Sequence, residues 1–146
     1  ALAADGTMYA FGSNNNGQLG NNTLTTSLTP IRVLKGAYIG TTFLGDNPSN
    51  PIISIAAGAY YTSALAADGT IYSFGEGFYG QLGDGTKTSR NKPVYRMNLT
   101  NIQSIGISRG NHQCVVTSTQ EVSCSGDNQS FQTGFNELTI RNVSGF

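Results

Sequence analysis

Apolar residues come in short bursts along this chain, separated by polar and Gly-rich stretches. "ISIAA" (53–57), "YYTSALA" (60–66) and "TIYSF" (70–74) carry β-branched and aromatic residues between small ones, the make-up of short strands. No window sustains apolar positions at helical spacing, so the chain predicts almost no helix. Asp68-Gly69 divides the second burst from the third and signals a hairpin, because Gly accepts positive φ without steric cost. Pro30 and Pro93 open two further apolar segments, "IRVL" and "VYRM", as first residues of a strand or as edge positions.

The pattern repeats. Residues 1–20 and 64–83 are identical at fourteen of twenty positions, at an offset of 63. An eroded third copy, at an offset of 51 from the second, places Gly75 on Gly126, Gln81 on Gln132 and Gly83 on Gly134. Each unit reads: apolar strand, Gly, strand, tight turn, strand ending in Phe-Gly, Gly-rich loop, Gln-Leu-Gly, polar link, Pro, short strand. The expected divisions are 1–50, without its first strand, 51–101, and a degenerate 102–146. Ala and Ser fill the central strands, which suits sheets stacked closely face to face. Repeats of four short strands around an axis make a β-propeller, so the predicted fold is all-β: one partial propeller over 1–146, of stacked four-stranded antiparallel blades.

The matched residues carry a resemblance. Gly58, Tyr61, Ala64-Leu65, Asp68-Gly69, Ile71-Tyr72, Phe74-Gly75, Gly80-Gln81-Leu82-Gly83 and Pro93 in the second copy, with their counterparts from Ala1 to Pro30, resemble the regulator of chromosome condensation family of seven-bladed propellers. Phe11 and Phe74 stand where that family often has Trp. The third copy has Ser125 in place of the aromatic and Thr133 in place of Leu, so its blade is expected to pack less well. Residue 1 falls inside a blade, and about two and a half blades can be counted. The expectation is a slice of a longer closed ring whose remaining blades belong to the same chain, the alternative being a short protein that closes its ring by oligomerising.

Composition narrows the function. Eight basic and eight acidic residues give zero net charge, and charged residues make up only 11%. No electrostatic footprint points to nucleic acid, and no apolar run predicts membrane insertion. "GEGFYG" (75–80) fits a dinucleotide-binding pattern and "GQLGDGTK" (80–87) approaches a phosphate loop, but no helix follows either, so no cofactor is expected. His112 is the sole histidine. Without ligand or triad partners it reads as a structural histidine bonding a loop carbonyl. The acidic residues Asp5, Asp68, Glu76, Asp84 and Asp127 sit in turns and loops, with no recurring pair for acid–base work. No enzyme activity is expected.

Cys114 and Cys124 replace Ser63 and Ser73 of the second copy. A two-residue turn at Asp68-Gly69 puts those positions on opposite sheet faces. A three-residue turn, Ala67-Asp68-Gly69, puts them directly opposite each other. The joint appearance of the cysteines predicts the longer turn and a cross-strand disulfide; the alternative is two buried thiols. A disulfide implies an oxidising compartment. Four Asn-x-Ser/Thr triplets, at Asn21, Asn98, Asn128 and Asn142, lean the same way. The expected location is secreted or cell-surface, with the cytoplasm as alternative.

In a propeller, function sits in loops on a rigid ring. Pro93 to Ile105 spans 12 positions and Pro30 to Ile53 spans 23, so eleven extra residues fall within 36–51. Tyr38, Ile39, Phe43, Leu44, Asp46 and Asn47 of this insertion form the first candidate contact surface for a protein partner. Its deletion (37–49) is expected to leave folding intact. The alternative is that these side chains fold back over the blade. Phe78 and Tyr79, at a variable loop position matching Asn14–Asn16, form a second candidate, the alternative being a lid on the neighbouring blade. The reading is a protein-interaction module. The resemblance implies a second possibility, guanine-nucleotide exchange on a small GTPase, although no exchange residues map onto this chain.

Overall fold

The structure, a computed structural model, describes residues 1–134 apart from Asn98 and Ser108. The end of the third repeat and the triplets at Asn98 and Asn142 therefore lie outside the described residues. Nine strands and no helix are present among those described. They are β1 (Tyr9–Gly12), β2 (Ser27–Arg32), β3 (Ile52–Ala57), β4 (Tyr61–Ala66), β5 (Ile71–Gly75), β6 (Arg90–Tyr95), β7 (Ile102–Ile107), β8 (His112–Thr117) and β9 (Val122–Gly126).

The strands form three antiparallel sheets in sequence order: β1-β2, β3-β4-β5-β6 and β7-β8-β9. An isolated bridge, Leu2↔Met8, extends the first. The second sheet is the full unit that the repeat predicts.

The hairpin turns have the three-residue form. Ala66 N donates to Thr70 O and Gly69 N to Ala66 O, which leaves residues 67–69 outside the ladder. Gly69 takes φ +81°, a conformation that costs a side-chain-bearing residue about 1–2 kcal/mol. Ser63 then faces Ser73 with the hydroxyls 2.8 Å apart, and Cys114 faces Cys124. The two sulfurs are bonded, with Cα atoms 4.1 Å apart.

The outer strands begin earlier than the prolines suggested. Pro30 and Pro93 lie inside β2 and β6, which start at Ser27 and Arg90. Each of these strands pairs on one side only, so a residue lacking N–H is tolerated there.

Adjacent sheets pack face to face. Met8, Val33, Leu44, Ala64, Tyr72 and Phe74 belong to one buried cluster between the first and second sheets. Leu65, Ile71, Ile102 and Val115 form a smaller one between the second and third. Contact is close at Gly20, where a Cβ would fall 2.8 Å from Val33 and 2.9 Å from Phe74. Hydrogen bonds fix the sheet-to-sheet register. Thr62 Oγ1 donates to Gln18 O at 3.0 Å, and Gln113 Nε2, at the matching position 51 residues on, donates to Gln81 O at 2.6 Å. Tyr61 Oη donates to His112 O at 2.6 Å. His112 is thus tied into the junction of the second and third sheets through its carbonyl.

Candidate interaction surfaces

The strand directions separate the two candidate loops. Turn 67–69 and the insertion 36–51 lie at one end of the sheets, tied by Asn50 Nδ2 to Asp68 Oδ2 at 2.8 Å and Asp68 N to Asn50 Oδ1 at 2.9 Å. Tyr61 pairs with Gly75 and His112 with Gly126 at the other end, which carries Tyr60, Phe78, Tyr79 and the loop 127–134.

The insertion folds inward. Tyr38 is 2% exposed and Leu44 fully buried. The Tyr38 ring meets Tyr72 edge-on at 5.4 Å, and its hydroxyl donates to Asn50 O and accepts Asn47 N. Phe43 is partly buried beneath the Arg32 guanidinium, which lies 4.5 Å from the ring centre. Asp46 organises the segment: its carboxylate accepts the amides of Thr41, Thr42 and Phe43 and the Thr41 hydroxyl. Burial works to raise this carboxyl, but those hydrogen bonds outweigh it and hold Asp46 well below the usual carboxylate range. Asn47 Nδ2 donates to Ile39 O at 3.1 Å. Of the six residues, only Ile39 projects, at 79% exposure. Tyr38 and Leu44 are core residues rather than contact residues. The apolar side chains of an insertion gain more by covering the sheet edge than by facing water.

The opposite end is built differently. Gln18, Gln81 and Gln132 each turn a side-chain oxygen back onto a loop amide, from Asn16, Tyr79 and Ser130 respectively, at 2.7–3.0 Å. The loop tips are therefore braced, and Phe78 is left 60% exposed above one of them. Tyr79 is partly buried. Tyr60 and Phe131, 51% and 50% exposed, join Phe78 at this end. Sequence reasoning missed both, because Tyr60 reads as part of a strand and Phe131 stands at a Gly position of the repeat. It also misjudged Asn14, which is fully buried: its Nδ2 donates to Thr23 O and Thr25 O and its Oδ1 accepts Leu19 N. Asn128, at the equivalent position, accepts Thr133 N in the same way, and that recurrence was the available signal.

The glycines of "GEGFYG" serve the turn. Glu76 N donates to Tyr60 O, Gly77 N to Ser89 Oγ, Tyr79 N to Gln81 Oε1 and Gly80 N to Gly77 O. Four amides of this loop are thereby engaged within the blade rather than turned toward a phosphate. An apolar groove of about 410 Å³ runs between β1 and β3, floored by Met8, Ala10, Leu19, Ile55 and Tyr61. Among the described residues no group of three or more His, Cys, Asp or Glu could hold a metal ion, and no helix is long and apolar enough to cross a membrane.

The profile of the regulator of chromosome condensation (RCC1) repeat matches residues 5–65 and 68–117, and a second profile of the same repeat matches 52–81. The chain belongs to this family. Each profile-defined repeat starts beside a hairpin turn and ends in the second strand of the next sheet, so it contributes to two neighbouring blades. Human HERC2, an E3 ubiquitin-protein ligase, is 31% identical over 110 residues, covering 75% of this chain and 2% of its own length. The probable human E3 ubiquitin-protein ligase HERC6 is 32% identical over 140 residues, 92% of this chain and 13% of its own. The ultraviolet-B receptor UVR8 of Arabidopsis thaliana is 37% identical over 95 residues, 64% and 19%. This RCC1-repeat chain therefore spans under a fifth of each of these relatives. Yeast RCC1 (Prp20), solved bound to Kap60, superposes with a TM-score of 0.78 at 21% identity, over 98% of this chain and 33% of that one. A structure of Prp20p from Saccharomyces cerevisiae, described together with its binding to Gsp1p and histones, gives 0.77 at 22% identity, over 99% and 34%. The three sheets are thus blades of an RCC1-type propeller.

Proposed function

We propose that this chain is a protein–protein interaction module, a propeller scaffold that displays loops to a protein partner and does no chemistry of its own. One observation carries the reading. Tyr60, Phe78 and Phe131 are half exposed or more at the same end of the blades, on loops whose backbones are braced from within. Rigid exposed aromatics supply contact area at small entropic cost. This moves the main docking surface away from the insertion and onto the end that carries Phe78. The protein partners named for the yeast fold relative, Kap60, Gsp1p and histones, support a protein ligand in kind. We further place the protein outside the cytoplasm, at the cell surface or secreted, in keeping with the Cys114–Cys124 bond.

The test is affinity capture from extracts of the source cells, quantified by mass spectrometry, with wild type, the double variant Tyr60→Ser/Phe78→Ser, and Ile39→Ser. The double variant is expected to lose the captured protein and Ile39→Ser to keep it. Equal capture by all three would refute the surface. Adding the chain to a small GTPase loaded with fluorescent nucleotide separates this reading from an exchange factor, since release well above background would overturn the binding-only role.

A further inference from the structure

Two of the Asn-x-Ser/Thr triplets have their asparagine among the described residues, and the structure treats them in opposite ways. Asn128 is fully buried, with its Oδ1 on the Thr133 amide at 3.0 Å. Asn21 is partly exposed and opens the exposed link 22–26. Its Oδ1 accepts Thr23 N at 3.2 Å, Thr23 Oγ1 at 2.8 Å and Asn14 Nδ2 at 3.1 Å.

The second repeat reveals what this position requires. Asp84, 63 residues on, uses its Oδ1 in the same way, accepting Thr86 N at 3.0 Å and Thr86 Oγ1 at 2.7 Å. A side-chain oxygen is enough to organise the link. The nitrogen that distinguishes Asn21 from Asp84 donates to nothing among the described residues. Buried Asn14, by contrast, spends its nitrogen on four acceptors. The Asn21 amide nitrogen is therefore surplus to the fold and open to solvent, with a Thr two residues on.

We propose that Asn21 is an N-glycan acceptor, a proposal that rests on the extracytoplasmic location given above. In the transfer, Asn21 Nδ2 gives up one proton to a base of the transferring enzyme. It forms a bond to the anomeric carbon of an oligosaccharide carried on a lipid diphosphate. The bond from that carbon to the phosphate oxygen breaks, and the lipid diphosphate leaves. Oδ1 stays an acceptor, so its three hydrogen bonds survive. Asn128 takes no glycan in the folded protein, because a close-packed site with no exposure has no room for a sugar on Nδ2. Leu24, three residues beyond Asn21 and 58% exposed, offers an apolar side chain for a sugar ring to cover.

The test is secretion of the chain from eukaryotic cells behind a cleavable leader, followed by site-resolved peptide mass mapping and thiol counting on one preparation. The expected result is an oxidised cysteine pair, a glycan on Asn21 and none on Asn128. Asn21→Asp, which keeps the oxygen as Asp84 does, is expected to be secreted with an unchanged melting temperature and no glycan at residue 21. An oxidised chain with Asn21 bare, or with Asn128 occupied, would overturn the site while leaving the location standing. Free thiols at Cys114 and Cys124 in protein isolated from its own source cells would overturn the location and the glycan with it.

Discussion

Arg96 and Ser125 meet across the junction of the second and third blades: Arg96 Nη1 donates to Ser125 Oγ at 2.7 Å, and Nη2 reaches Ser123 Oγ at 3.4 Å. Arg96 is 3% exposed, and burial pulls its guanidinium down to about 10, still charged at neutral pH. At the preceding junction the matching positions, 63 and 51 residues earlier, hold Val33 and Phe74. Both are fully buried in one cluster. A small–large apolar pair at one junction has thus become a large–small polar pair at the next. Ser125→Phe alone crowds Arg96 and is expected to cost about 1–3 kcal/mol by overpacking. Arg96→Val alone opens a cavity against two serines and is expected to cost about 2 kcal/mol or more. The double variant restores the first junction's pairing and also removes a buried charge whose Nε has no partner among the described residues. Its stability in urea is expected to match or exceed wild type. Simple addition of the two losses would disprove the exchange.

This pair shows what the sequence made legible. Asp68-Gly69 and the short apolar bursts act locally, so the inner strands and the hairpin could be read directly, whereas the three-residue form of the turn rested on the paired cysteines and the blade type on the recurrence of Gln-Leu-Gly. Ser125 was visible as a departure from the repeat. Its compensation by Arg96 was not, because the two lie 29 positions apart and only the stacking of blades brings them together. The insertion failed to declare itself for a related reason. Tyr38 and Leu44 look the same in sequence whether they face a partner or the sheet, and the deciding contact, with Tyr72 and its neighbours, is a tertiary one.

Burial of the insertion reverses the expectation that it can be removed freely. Leu44→Ala is expected to cost about 2–5 kcal/mol, the range for truncating a buried Leu. Ile39→Ser, at an exposed position, is expected to stay within about 0.5 kcal/mol of wild type. Chemical denaturation of the two variants checks both, and deletion of 37–49 is expected to leave the second blade without a cooperative transition. A freely folding deletion would return the insertion to the role of a displayed loop.

Asp46 gives the fold an acid-sensitive clasp. Its folded-state carboxyl lies below the ordinary value of 3.8, because burial, which would raise it, is outweighed by the bonds from Phe43, Thr41 and Thr42. A lowered pKa in the folded state means that stability is fully present above the unfolded value. The contribution is lost as pH falls from about 4 toward the folded value. The urea midpoint, followed from pH 7 to pH 2, is expected to drop below about pH 4 with Asp46 as one contributor. Asp46→Asn is expected to be less stable at pH 7, since one amide oxygen cannot replace two carboxylate oxygens, and to show a shallower acid limb. An unchanged limb would remove Asp46 from this account.

The hairpin turns supply the most local test. Gly6 and Gly69 occupy the last turn position with φ +84° and +81°, and Gln120 holds the same position in the third blade with φ +68°. The same three hydrogen-bonded turns form around them, so the backbone geometry is shared and only the side chain differs. A left-handed conformation costs a residue bearing Cβ about 1–2 kcal/mol, and part of that gain on reverting to Gly is offset by the greater freedom of Gly in the unfolded chain. Gln120→Gly is therefore expected to stabilise the protein by about 0.5–1 kcal/mol. Gly69→Gln, whose Cβ would fall 2.9 Å from the Asn101 Cα as well as taking on the strain, is expected to destabilise by more than that. Thermal melts of the two variants should move in opposite directions. A fall in melting temperature for Gln120→Gly would mean that the Gln120 side chain earns its place through contacts that outweigh its backbone strain.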